Sequence, residues 1–136
     1  MPATFLLELV TPEKLMFSEE VQAVRAPGAE GSFGVMAGHA PMLTELTTGL
    51  IKVTLANGNE TFMASSGGFL QVTREKVIIL ADSAELSEEI DIDRARAAVA
   101  RARQLLDAPD TDIDAEAVRQ ELERAQNRIR VAQMRG

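Results

Sequence analysis

Cysteine, tryptophan and tyrosine are absent from the 136 residues, and histidine occurs once, as His39. Without thiols there is neither a disulfide framework nor a thiolate metal site. One imidazole also leaves a structural zinc or a His-rich catalytic metal without ligands, so no metal is expected. Positive charge is scarce: 14 Lys and Arg stand against 21 Asp and Glu, a formal net charge of −7. Surfaces that bind a phosphate backbone are ordinarily basic, so no nucleic-acid partner is expected. No apolar run approaches the ~20 residues needed to span a bilayer. Any association with a membrane is then peripheral. The opening MPATFLLELVTPEK lacks the basic n-region and small-residue cleavage site of a signal peptide, and it is acidic rather than Arg-rich. A cytosol-side protein is expected, of one ordinary domain or a small domain with an appendage.

What is present is divided unevenly. All five phenylalanines lie at or before Phe69, and eight of the nine glycines lie between Gly28 and Gly68. Nine of the 14 basic residues follow residue 85, and all nine are arginine. The composition changes near residues 82–90. Ahead of it stand short runs rich in Val, Ile, Leu, Phe and Thr: Thr4–Val10, Gln22–Ala26, Leu50–Leu55, Glu60–Ala64, Phe69–Thr73 and Lys76–Ala81. Turn signals separate them, with Asn57-Gly58 the strongest because both residues tolerate positive φ. Gly67-Gly68 reads as a tight turn between two strands. Short strands at this spacing predict a β-sandwich or flattened barrel.

Behind the boundary the apolar period changes to that of a helix. Ala95, Ala98, Val99, Ala102, Leu105 and Leu106 form one stripe within Ile90–Asp107, and Val118, Leu122, Ala125, Ile129 and Ala132 form another. The segment Asp107–Asp112, with Pro109, stops the first helix, and Asp114 is placed to cap the second. A short connection makes the helices antiparallel neighbours. Their alanine-rich stripes bury little area, so the hairpin is expected to dock weakly. The expected division is a sandwich over residues 1–84, a linker over 85–89 and a helical hairpin over 90–136.

Three stretches could carry chemistry. Ala64-Ser65-Ser66-Gly67-Gly68 faintly echoes a nucleophile elbow, but a strand follows where a helix is required, so turn chemistry is the better reading. Gly28–His39 is glycine-rich without being a phosphate-binding loop. Either its glycines simply make turns, or it is a surface contact loop with Phe33, Met36, Met42 and Leu43 as apolar anchors. His39, followed by Ala40-Pro41, is expected to fix a turn. Arg94 and Arg101 lie seven apart on one helix, and Arg124 and Arg128 lie four apart on the other. Such guanidinium groups could grip a polyphosphate. They could equally be solvated ion-pair partners, as in Glu121–Arg124 at i, i+3, and spacing alone favours that reading.

Taken together, these stretches resemble a known family. Gly31-Ser-Phe-Gly34-Val-Met-Ala-Gly38-His39-Ala40-Pro41-Met42-Leu43 looks like the G-x-x-G-(I/V)-x-x-G-H-A-P-L-(L/V) stretch of the F-type ATP synthase epsilon subunit. Ser66-Gly67-Gly68-Phe69-Leu70-Gln71-Val72 resembles its S-G-G-F-x-x-V segment, and Ile90-Asp91-Ile92-Asp93-Arg94-Ala95 resembles its I-D-x-x-R-A start of the helical part. Leu9–Glu13 and Arg124–Val131 fit as well.

The resemblance implies a ten-stranded β-sandwich followed by an antiparallel two-helix hairpin, in a non-catalytic subunit of the rotary central stalk. The sandwich would bind the gamma subunit and rest on the c-ring through loops carrying Glu30, Ser32, Phe33, His39 and Met42. The hairpin would move between a compact form and an extended form that reaches the alpha and beta subunits and inhibits ATP hydrolysis. ATP, as a regulatory ligand rather than a required cofactor, would hold it compact at Glu85, Asp91, Arg94 and Ala95, with Arg101, Arg124 and Arg128 on the phosphates. Ser32 stands where many relatives place an acid, so the c-ring contact would rely on Glu30, Phe33 and packing. Asp93 would add negative charge near the phosphates. The implied place is the cytoplasmic side of a bacterial inner membrane, or the thylakoid in a plastid. The alternative is a free-standing cytosolic ATP-sensing binding protein.

Overall fold

The computed structural model describes residues 3–108 and 113–134. Seven strands come first: β1 (Phe5–Val10), β2 (Leu15–Gly28), β3 (Gly31–Met36), β4 (Met42–Leu46), β5 (Gly49–Leu55), β6 (Glu60–Val72) and β7 (Lys76–Leu86). A single 3-10 turn (Ser87–Glu89) leads into α1 (Ile92–Asp107) and α2 (Ala115–Ala132). Strands β1, β2, β5, β6 and β7 pair in a closed circuit, antiparallel except for the parallel β1–β7 pair. Strand β3 pairs with β2, and β4 pairs mainly with β6. The result is a flattened barrel with a sandwich-like core, and Leu7, Leu9, Val24, Ile51, Val53, Met63, Leu70 and Ile79 are sealed within it.

The strand count is seven where ten are expected, and the reason is local. Strands β2, β6 and β7 are 14, 13 and 11 residues long, and each bends through both layers without a break. Along β6, Met63 faces the core while Ala64 faces the helices; past the bend, Leu70 and Val72 face the core. Alternation of period 2 would keep one parity inward, so the strand changes face between them. It does so at Gly67 and Gly68, whose φ values of 63° and 113° lie in the left-handed region. The expected turn at Gly67-Gly68 is thus a bend inside one strand. Opposite it, β7 switches as well: Val77, Ile79 and Ala81 face the core before Asp82, and Ala84 and Leu86 after it.

Glycine-rich residues 31–36, expected as turns or a contact loop, form strand β3, and the expected loop anchors Met42 and Leu43 lie in strand β4. Phe33 and Met42 are half-buried against the core, so the premise that both sit in loops is corrected. The Asn57-Gly58 hairpin forms as expected between β5 and β6. Only Gly58 takes positive φ, and the Asn57 side chain instead accepts a hydrogen bond of 2.9 Å from the Asn59 N–H. Glu85, assigned to the linker by the sequence, lies in β7.

Each helix starts on an aspartate. Asp91 accepts from the Arg94 N–H at 3.0 Å, and Asp114, as expected, from the Ala117 N–H at 3.2 Å. Helix α1 packs on α2 through buried Ala95 and Ala102. Helix α2 lies on β5 and β6, where Val131 and Ala132 join Ala64 and Ile90 in a small apolar cluster flanked by Leu50, Phe62 and Ile92. The loop expected around Pro109–Asp112 lies outside the described residues.

A β-carbon at position 68 would collide with the Leu80 carbonyl oxygen. Gly68→Ala is therefore expected to destabilise the sandwich by ~2 kcal/mol or more, with steric overlap added to the strain of positive φ. Equilibrium denaturant unfolding measures this.

Candidate functional site

Hairpin and sandwich enclose a cleft of about 380 Å³. Helix α1 contributes Arg94, Ala98 and Arg101, and α2 contributes Glu121, Arg124 and Arg128. The sandwich side is formed by Ala64, Ser65 and Ser66 on β6 and by Ser83 and Glu85 on β7. Ala64 pairs in register with Glu85 and Ser66 with Ser83, so these four share the face turned to the helices. Four guanidinium groups against two carboxylates make this a locally positive site in a chain of net charge −7.

One of the four arginines is occupied. Arg128 donates from Nε to Glu85 Oε1 at 2.6 Å and from Nη2 to Glu85 Oε2 at 3.4 Å, joining α2 to β7. Among the described residues Arg94, Arg101 and Arg124 make no side-chain ion pair; in particular the expected Glu121–Arg124 pair does not form. Three guanidinium groups on one cleft thus lack the ion pairs that spacing alone favoured, and Arg94 and Arg101 are exposed.

The structure does not place all the expected site residues in the cleft. Asp91 caps α1 and Ala95 is buried in the helix pair, so neither lines it. Asp93 does not line it either; it stands in the first turn of α1, where a negative charge favours the helix. The expected c-ring residues divide. Glu30 and Ser32 stand at one end of β3 and His39 follows the other, separated by a strand that rises about 3.3 Å per residue. Ser32 lies within 3.4 Å of an Arg25 donor, and the His39 ring nitrogen is bonded to the Ala40 carbonyl. Ser66 is hydrogen-bonded to the Ser83 hydroxyl rather than to an imidazole, so it has no base.

Asn127 is the residue that sequence reasoning passed over. It is 2% exposed, donates from Nδ2 to the Gly49 carbonyl at 2.9 Å and accepts at Oδ1 from Arg130 at 2.8 Å. A buried amide is satisfied here only while α2 lies on β5. The available signal was a polar residue four before Val131, on the face that docks. Asn127→Ala is expected to weaken docking by about 1–3 kcal/mol by leaving the Gly49 carbonyl unpaired. Faster amide exchange in α2, with unchanged melting of the sandwich, is the expected reading.

Comparison with known proteins accounts for both halves of this arrangement. Residues 4–87 match the ATP synthase delta/epsilon chain β-sandwich domain, and residues 88–133 match the long α-helix domain of the same chain. An ATP synthase epsilon chain of Desulforamulus reducens is 42% identical over 98% of this chain and 100% of its own. One from Nitratidesulfovibrio vulgaris is 47% identical over 92% of each. Among solved structures, a chain in the OSCP/F1/c-ring structure of the Euglena gracilis mitochondrial ATP synthase superposes with a TM-score of 0.81 at 29% identity, covering 93% of this chain and 80% of that one. No described helix is long and apolar enough to cross a membrane. The chain belongs to the ATP synthase delta/epsilon chain family, among the epsilon subunits of the F-type enzyme.

Proposed function

We propose that this subunit is a non-catalytic element of the rotary stalk whose hairpin is held compact by ATP bound in the cleft between helices and sandwich. The observation that carries the reading is the convergence of Arg94, Arg101 and Arg124, unpaired, on a cleft closed by docking. Arginine recognises phosphate through paired N–H donors, and a polyphosphate supplies the acceptors these groups lack. Arg94 and Arg101 belong to α1, and Arg124 belongs to α2. They share one cleft only while the hairpin is folded back. A ligand that binds one form more tightly shifts the balance toward it by that difference in affinity. ATP then favours the compact form, and its loss releases the extended, inhibitory one toward the alpha and beta subunits.

The partner surfaces follow from the same fold. Phe69 and Leu80 are cross-strand neighbours, and Val10 continues the row on β1. Leu43 lies on the same face, opposite Gln71. Leu43, Phe69 and Leu80 are 66%, 47% and 53% exposed. An apolar strip of this kind on a sheet face marks an interaction site, here assigned to the gamma subunit. It lies past the Gly67–Gly68 bend, clear of the strand segments that the helices cover. The c-ring contact is assigned to exposed residues at the ends of β3, with Glu30 and Ser32 at one end and His39 beyond the other. A flat partner surface engages one end. The site of action is the cytoplasmic face of the inner membrane.

Arg94→Ala is expected to raise the ATP dissociation constant roughly tenfold, in line with loss of a hydrogen bond to a charged group. Calorimetric titration of the chain measures this, and unchanged affinity would sink the nucleotide reading. Phe69→Ser together with Leu80→Ser is expected to abolish recovery of the gamma subunit while the sandwich melts as before. Full recovery would move the gamma contact elsewhere.

A further inference from the structure

Arginines on the two helices explain how an anion could close the hairpin, but not how it could hold the hairpin against the sandwich. A ligand bound to α1 and α2 alone has the same contacts whether or not the closed hairpin is docked. It cannot bias docking, because only differential affinity shifts an equilibrium. Coupling needs a contact from the β domain, and the sandwich residues on the cleft narrow the choice. Ala64 has no polar side chain. Glu85 is itself an anion and is occupied by Arg128. Ser65 also lines the cleft, but its side chain has the core-side parity of Met63 and pairs with core-packed Ala84, so its buried hydroxyl is turned away from the helices. Ser66 and Ser83 remain.

Their hydroxyl groups are hydrogen-bonded to each other across the β6–β7 pair. Two hydroxyls carry two donor protons, and their mutual bond uses one. Neither side chain has another hydrogen-bond partner among the described residues, so the second proton is uncommitted. The pair also lines the adjoining cleft beneath α2, and Arg124 lines both, so it stands at the junction of the two spaces beside an unpaired guanidinium. We infer that the Ser66–Ser83 pair is the β-domain half of the anion site. Its free O–H donates to a phosphate oxygen that Arg124 also holds, and this contact ties nucleotide occupancy to docking. The inference rests on the proposed nucleotide reading and adds the residues that make binding regulatory.

The test uses the full chain as wild type, S66A, S83A and the double variant, titrated with ATP and with inorganic tripolyphosphate. The double variant is expected to bind both ligands roughly tenfold more weakly, as for loss of a hydrogen bond to a charged oxygen. Ligand-induced protection of α2 amides should fall with it. Melting without ligand controls for the lost cross-strand bond, and S83A keeps the Ser66 hydroxyl on the cleft wall if S66A proves unstable. Unchanged affinity for both ligands in the variants would overturn the inference, leaving the pair a brace between strands. Weakened ATP binding with unchanged tripolyphosphate binding would also overturn it, because the contact would then be to the nucleoside. If wild type binds neither ligand, the nucleotide reading itself falls and takes this inference with it. If wild type binds and only the serine variants are indifferent, that reading stands without the serines.

Discussion

Left-handed backbone at Gly67 and Gly68 is the constraint from which the two working faces follow. Before the bend, one side of β6 and β7 seals the core while the other offers Ala64, Ser66, Ser83 and Glu85 to the helices. Past it the assignment inverts, and Phe69 and Leu80 are turned outward. A single pair of strands thus carries a helix-docking face and an apolar partner face on different segments. An L-residue at position 68 would meet the Leu80 backbone. The two roles therefore rest on the absence of a side chain.

The second determinant is the modest attachment of the hairpin. Its apolar contact with the sandwich is a small cluster around Ala64, Ile90, Val131 and Ala132. Alanine contributes far less on burial than leucine, so polar contacts count for more in positioning α2. The Asn127 amide on the Gly49 carbonyl and the Arg128 fork on Glu85 are both directional. The ion pair is partly exposed, at 25% and 38%, so solvent screens it and its worth is mainly geometric. Small apolar area with directional polar contacts gives a defined docked geometry of limited strength, which suits an element that a ligand can hold or release.

The local signals that sequence reading uses served well where a short-range rule decides the outcome. Asp114 caps α2 as expected because a carboxylate satisfies free N–H groups at a helix start, and Asp91, expected in the nucleotide site, caps α1 by the same rule. Alanine and leucine at helical spacing fixed the two helices and which of their faces meet. The Asn57-Gly58 hairpin formed for the same kind of reason, with Gly58 alone taking the positive φ. Glycine misled where it permits more than one outcome. At Gly67-Gly68 it allowed a bend within a strand, and between Gly28 and Gly38 it lay within and beside β2 and β3. A residue without a β-carbon restricts the backbone least, so its neighbours in space choose its role.

The sequence by itself settled the order of a β domain and a helical hairpin, the Asp114 cap, the exclusion of thiolate metal sites and the four arginines worth asking about. Tertiary structure alone decided which of those arginines are free, because an ion pair depends on proximity across elements. Arg128 finds Glu85, 43 residues away, while Glu121 and Arg124, three apart on one helix, form no pair with each other or with another described residue. It also decided that Asp91 and Ala95 stand outside the cleft while Ser83, which no motif singled out, stands inside it. Helix and strand period are written in neighbouring residues. The composition of a cleft is set by where separate elements come to rest.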